Sequence, residues 1–346
     1  MTLNAQYCAL LACTVFLTAC QAKELTERER AIKDADGDER EIAMINAVHD
    51  ILDAPPPTEA EIDELVNKAI GNMVRIEGGE FIMGVNPERL GGDWEGWKPV
   101  DGHRGQASIE SSAFYEHKVR LDTYYLSKYE TTYAEFDAWK KATGREIRFG
   151  SIGGWYKGYG KGLHDCCRAP DKPAAADWNE AKAYCEWLGQ HSGLPVTLPT
   201  EAQWEYAARE RGKWLMYPTK WGGIDGDTNR TSKETTEVYA LSHSMNDLGL
   251  YFMAGNLSEW VLDWYDPDYY QRSPVDNPVN DEPTVEVSVF HNRKAFAKVH
   301  RGGNQFLDNS LGDQRNVFNR FYEATDFYSF GLVGLRCVIN TTKALN

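Results

Sequence analysis

The chain has 346 residues, 42% of them hydrophobic, enough for a substantial core in one large domain or two ordinary ones. Its formal charge of −15 argues against a nucleic-acid binder, because neutralising phosphates needs an excess of Lys and Arg. Eleven Trp and eighteen Tyr predict either an aromatic core with little regular structure or an aromatic-lined binding surface.

From the N-terminus, residues 7 to 19 form an apolar run that stops at Cys20. It is shorter than the roughly 20 residues a bilayer span needs and reads as the core of an export signal covering residues 1–19. Leu17-Thr18-Ala19-Cys20 has the form of a bacterial lipobox, so Cys20 is expected to carry lipid and hold the mature chain on a membrane surface. No Lys or Arg precedes the run, and a plain cleaved signal with an incidental cysteine is the alternative. Gln21 follows the cysteine, which by similarity to enteric lipoproteins directs the anchor to the periplasmic side of the outer membrane. Export leaves Cys166, Cys167, Cys185 and Cys337 in an oxidising compartment; four cysteines allow three connectivities.

Residues 20–71 are charged and contain neither Trp nor Tyr, and they read as a helical tether. Lys23–Lys33 and Glu39–Leu52 read as solvated helices, the second stopped by Pro55-Pro56-Pro57. Thr58 and Glu61 have capping-box spacing, and Ile62, Leu65, Val66, Ala69 and Ile70 make one apolar stripe behind them. The tether is expected to act as a spacer, with a partner-binding helix as the alternative.

The main domain is placed at 72–346. Met73–Gly84 reads as two alternating strands around a Gly78-Gly79 turn. A polar, Gly-rich loop over 86–107 follows, then a strand over His117–Leu126. Thr132 and Glu135 cap a helix bearing Phe136 and Trp139. Residues 149–165 read as a loop. Asp177–Gln190 reads as a helix stopped by Gly193, and a capped helix follows Pro199. Beyond Gly212 periodicity fades, with short strands expected at Trp260–Trp264 and Gly334–Ile339. Loops this long are usually functional or held by ions and disulfides.

Four segments in order resemble the formylglycine-generating-enzyme (sulfatase-modifying factor) family. They are Met73–Gly84, Leu198–Arg209, Gly249–Tyr251 through Ala254–Trp260, and Arg301-Gly302-Gly303 with Gly334-Leu335-Arg336. The resemblance implies an α+β, C-type-lectin-like fold with little regular secondary structure. Family members that oxidise a substrate cysteine use a cysteine pair that binds copper, a soft ion suited to thiolates. The matching positions here are Leu311 and Asn316, and no cysteine lies between residues 186 and 336. Copper is therefore not expected, nor is formylglycine formation. A branch that uses iron draws its histidine ligands largely from an extra helical bundle, and the N-terminal region here holds only His49. A further branch matures a siderophore without the cysteine pair, and gliding-motility lipoproteins use the domain for assembly.

The resemblance also implies a calcium site formed by the carbonyls of Gly255 and Leu257 and the side chain of Glu259, with Phe252 where the family has Asn; Asn229 matches a ligand of a second site. The alternative for Glu259 is a metal-free role, accepting backbone N–H groups. The family's cleft would be lined by Arg301, Asn304, Gln305, Arg315, Asn316 and Arg320, whose guanidiniums could grip a carboxylate or phosphate. The alternative ties Arg301 and Arg320 to buried carboxylates. No catalytic residue is assigned. His103, His117 and His164 show no tight metal spacing, and separate structural roles are expected for Cys166 and Cys167. Cys185 and Cys337 are the expected disulfide, with a buried free pair as the alternative. The resulting expectation is a lipid-anchored periplasmic protein that binds or assembles with a protein or peptidic ligand. The rival is a modifying enzyme, oxidase or tautomerase-like, working without the cysteine pair.

Overall fold

The computed structural model describes residues 26–34, 37, 39–86, 111–148, 169–219, 237–239, 244–289, 292–304, 316–327 and 332–345. The signal and Cys20, the 149–165 loop, Cys166, Cys167, His103, His164, Asn229, Gln305, Leu311 and Arg315 lie outside them, as does most of the 86–107 loop.

The chain divides into two compact units, 1–55 and 56–346. In the first, helices α1 (Glu27–Asp34) and α2 (Glu39–Asp53) are tied together by Arg28, which donates to Asn46 Oδ1 at 2.7 and 2.9 Å and to Asp50 at 3.1 Å.

The second unit begins with α3 (Glu59–Gly71), whose capping box closes as the sequence predicts: Glu61 N donates to Thr58 Oγ1, and Thr58 N donates to the Glu61 carboxylate at 2.7 Å. Its apolar stripe packs into the core, with Val66 buried, against α4 (Tyr133–Ala142) and α5 (Trp178–Ser192). The boundary expected at residue 71 therefore falls further upstream, and α3 belongs to the domain rather than the tether. Burial of one helix face outweighs the charge of its exposed residues.

Strands β1 (Met73–Ile76) and β2 (Gly79–Met83) form as expected, but they do not pair with each other. The expected strand over His117–Leu126 splits into β3 (His117–Leu121) and β4 (Tyr124–Ser127). β1 pairs antiparallel with β4 and β2 with β3, giving one long ribbon bent at residues 77–78 and 122–123. A Cβ on Gly78 would lie 2.4 Å from Leu121 O, so the bend requires glycine at that point.

One four-stranded sheet has the order β1-β4-β12-β5, with β5 at Val196–Thr197 and β12 at Val338–Ile339. The other has the order β10-β9-β6-β11, with β6 at Ser258–Trp264, β9 at Ala297–Arg301, β10 at Phe321–Ala324 and β11 at Val333–Gly334. A small ribbon pairs β7 (Val287–Val289) with β8 (Arg293–Ala295). Helix α6 (Glu201–Ala208), capped by Thr200 and Gln203, is buried at all eight positions. α5 ends at Gly193 in the left-handed conformation, φ 69°. The fold is α+β, with short elements joined by long loops. Cys185 on α5 and Cys337 beside β12 are bonded, S–S 2.03 Å. Among the described residues no helix is long and apolar enough to cross a membrane.

Candidate functional site

Glu201 and Glu205 lie one turn apart on α6, a helix without a solvent face, so each carboxylate must find a cation or lose its charge. Arg301, at the end of β9, reaches both: Nη1 donates to Glu201 at 2.5 Å and Nη2 to Glu205 at 2.8 Å. Arg320, just before β10, clasps Glu201 with Nε at 2.7 Å and Nη2 at 3.0 Å. Arg209 closes on Glu205 at 2.8 Å, and Gly84 N donates to the same carboxylate at 3.0 Å. Burial alone would raise the Glu201 carboxyl, but Arg320 and Arg301 outweigh it and hold the group below its ordinary value. Arg301 and Arg320 are thus buried and paired, and do not face a cleft.

Asn316 is also buried, and its Oδ1 accepts from Phe318 N at 3.0 Å and Asn319 N at 3.1 Å. It shapes the turn whose Val317 carbonyl accepts from Arg301. Asn304 is buried. An amide fixed in a turn cannot stand in for a copper-binding thiolate.

A second buried cluster centres on Glu259. Arg336 donates to it through Nε at 2.7 Å and Nη2 at 2.6 Å, and Trp204 Nε1 donates at 2.7 Å. Oε2 accepts two of these bonds, so only Oε1 keeps a lone pair. The carboxylate is committed to a guanidinium and an indole rather than to backbone N–H groups, and a divalent ion would have to share it with a fixed positive charge. Glu130 lies beside it and accepts from Leu257 N at 3.0 Å and Asn256 Nδ2 at 2.6 Å. Burial and the nearby Glu259 push the Glu130 carboxyl well above the ordinary range. Phe252 is buried at φ 48°, and Gly255 N donates to Gly302 O at 2.9 Å. Among the described residues no group of three or more His, Cys, Asp and Glu side chains gathers as a metal site. Of the ligands expected for calcium, the Glu259 side chain is thus already engaged by Arg336 and Trp204.

The four sequence segments converge. Trp204 joins the two clusters, since its N–H meets Glu259 while the Arg301 guanidinium lies 5.3 Å from its ring. Arg336 also donates to Tyr251 O at 2.8 Å, anchoring the Gly249–Tyr251 segment. Glu201, Glu205, Trp204 and Glu130 received no role from the sequence. The available signal was two glutamates spaced one turn apart on a helix otherwise rich in Ala and aromatics.

A cavity of about 80 Å³ opens elsewhere, between α3, the β4–α4 connection, α5 and Val238-Tyr239. Its lining includes Glu130, Glu135, Tyr129, Tyr184, Tyr239 and Lys68.

The fold and its clusters define an α+β domain whose long loops are tied by buried arginine–carboxylate contacts. Residues 58–341 match the Sulfatase-modifying factor enzyme 1-like domain, and the chain belongs to that family. The match takes in α3. The chain is 29% identical over 313 residues to the formylglycine-generating enzyme of Streptomyces coelicolor, covering 76% of this chain and 88% of that one. It is 33% identical over 123 residues to the inactive C-alpha-formylglycine-generating enzyme 2 of Bos taurus, covering 31% of this chain and 37% of that one. Among solved structures it is similar to PvdO from Pseudomonas aeruginosa, with a TM-score of 0.54 and 25% identity, covering 77% of this chain and 93% of that one.

Proposed function

We propose that this protein is a lipid-anchored periplasmic member of the family that binds or assembles with a protein or peptidic ligand and does not make formylglycine. One observation carries the reading. No cysteine lies between residues 186 and 336, and the two that flank this stretch, Cys185 and Cys337, are bonded to each other. The chain therefore offers no thiol pair in the segment where the family resemblance would place the copper-binding cysteines. The protein from Bos taurus whose name calls it inactive supports the idea that the fold persists without that activity. The Leu17–Cys20 lipobox supports the anchor at Cys20, on the periplasmic side of the outer membrane.

The test measures metal content and oxygen uptake on the purified chain supplied with Cu(I) and a cysteine-containing peptide. The expected result is no oxygen uptake and no oxidised peptide. Stoichiometric copper or iron with oxygen consumption would overturn the reading in favour of a modifying enzyme. Labelling with a radioactive fatty acid checks the anchor: Cys20→Ser is expected to abolish incorporation.

A further inference from the structure

We propose that the cavity beside α3 is a binding site for an alkyl primary ammonium group, such as the side chain of a lysine presented by a peptide or protein. This names the ligand chemistry for the binding function above and rests on that reading.

The cavity is about 80 Å³, room for an ammonium head and part of its methylene stem, since a bound water needs only roughly 10–15 Å³ on the same measure. Glu130 lines it, is 2% exposed, and among the described residues accepts hydrogen bonds from two neutral groups, the Leu257 N–H and the Asn256 amide. The neighbouring guanidinium, Arg336, is spent on Glu259. Glu130 is thus a buried carboxyl with no ion-pair partner among the described residues, beside an opening large enough to admit one. Glu135 supplies a second acceptor; its Oε2 is held by the Thr132 N–H and hydroxyl at 2.8 Å each, which leaves Oε1.

The remaining walls suit a cation on an apolar stem. Tyr129 and Tyr239 meet edge to face with centroids 6.2 Å apart, and Tyr184 and Leu188 also line the cavity. Aromatic faces attract an ammonium, and an aliphatic wall accommodates its stem. An ammonium offers three donors, enough for both carboxylates and a hydroxyl. A bare metal ion suits the cavity less well, because only two of its lining residues carry carboxylates and hard cations want about six oxygens.

Binding is coupled to a proton. Burial and the nearby Glu259 push the Glu130 carboxyl well above the ordinary range, and an entering ammonium favours the ionised form, so binding is accompanied by proton release. Glu135 and Glu259 assist the cation; Lys68 on α3, Arg336 and Lys128, whose Nζ lies 5.3 Å from the Tyr129 ring centroid, oppose it. Apparent affinity therefore rises with pH while the ligand's own amine stays charged.

The test titrates the purified chain with N-acetyl-lysine amide by calorimetry and ligand-observed NMR, with the Nε-acetylated compound and calcium chloride as comparisons. Expected results are at least tenfold weaker binding of the acetylated compound, proton release that scales with buffer ionisation, and several-fold weaker binding by Tyr239→Ala, whose ring is half exposed and not needed for the core. Glu130→Gln is expected to lower affinity at least tenfold, and Lys68→Met to raise it. Equal binding of the two compounds overturns the proposal, as does calcium binding that displaces the amine stoichiometrically. Amine binding seen only in Lys68→Met also overturns it, because the site would then belong to the chain's own lysine. These outcomes leave the oxygen-uptake test of the broader reading untouched, so the two can fail separately.

Discussion

Arg336 and Glu259 meet through two contacts of 2.7 and 2.6 Å, the arginine side chain fully buried and the carboxylate 1% exposed. Removing one partner of such a pair leaves an uncompensated buried charge, whereas removing both together is far less costly. Arg336→Met is expected to destabilise the domain by about 3–5 kcal/mol, with Arg336→Met/Glu259→Gln recovering part of the loss. Urea unfolding of the two variants checks this, and a loss under about 1 kcal/mol in the single variant would show that the pair is solvated.

The bend in the long ribbon depends on Gly78. A Cβ there would meet Leu121 O at 2.4 Å and Asp122 C at 2.7 Å, both backbone atoms that cannot rotate away. Gly78→Ala is expected to cost about 1–3 kcal/mol or more. A thermal melt unchanged from the parent would mean that the two halves of the ribbon can separate without penalty.

The Cys185–Cys337 bond closes a sequence separation of 152 residues. Chain entropy assigns such a loop about 5 kcal/mol, and measured values for disulfides run nearer 2–4 kcal/mol. Cys185→Ala/Cys337→Ala is expected to lower the melting temperature and remove the effect of reductant on it. Peptide mapping under non-reducing conditions is the direct check, and recovery of Cys185 as an alkylated free thiol would contradict the pairing.

His300 and Lys298 set opposite limbs of the stability–pH curve. Burial lowers His300 from 6.5 to about 3, so the unfolded chain takes up a proton that the folded one refuses. Its contribution is complete above pH 6.5 and is lost as pH falls toward 3. Lys298 donates to Leu262 O at 2.6 Å and lies 3.8 Å from the Trp264 ring centroid and 4.2 Å from that of Trp178; burial lowers it from 10.5 to about 7. The unfolded chain keeps that proton longer, so stability rises from pH 7 toward 10.5. His300→Phe is expected to flatten the acid limb and Lys298→Met the alkaline one. Urea midpoints between pH 4 and 9 test both, and curves parallel to the parent's would refute the assignments.

The elements with local signals were legible in the sequence. Thr58/Glu61 and Thr132/Glu135 sit at capping-box spacing, Gly193 stops α5, and the four spaced segments point to the family. These features depend on residues near one another in sequence or on the order of motifs. Tertiary structure alone decided the rest. Whether Met73–Gly84 closes on itself or bends along His117–Ser127 depends on a partner strand some forty residues away, and Gly78 fits either turn locally. The charged tether helix became part of the domain because one face found α4 and α5. Arg301 and Arg320 could equally have faced a ligand or a carboxylate; α6 decided the matter by offering Glu201 and Glu205 where water is excluded. Glu130 acquired its buried environment, and the cavity beside it, from segments that meet only in the folded chain, so charge type was written in the sequence while solvent access, which sets what a charge can do, was not.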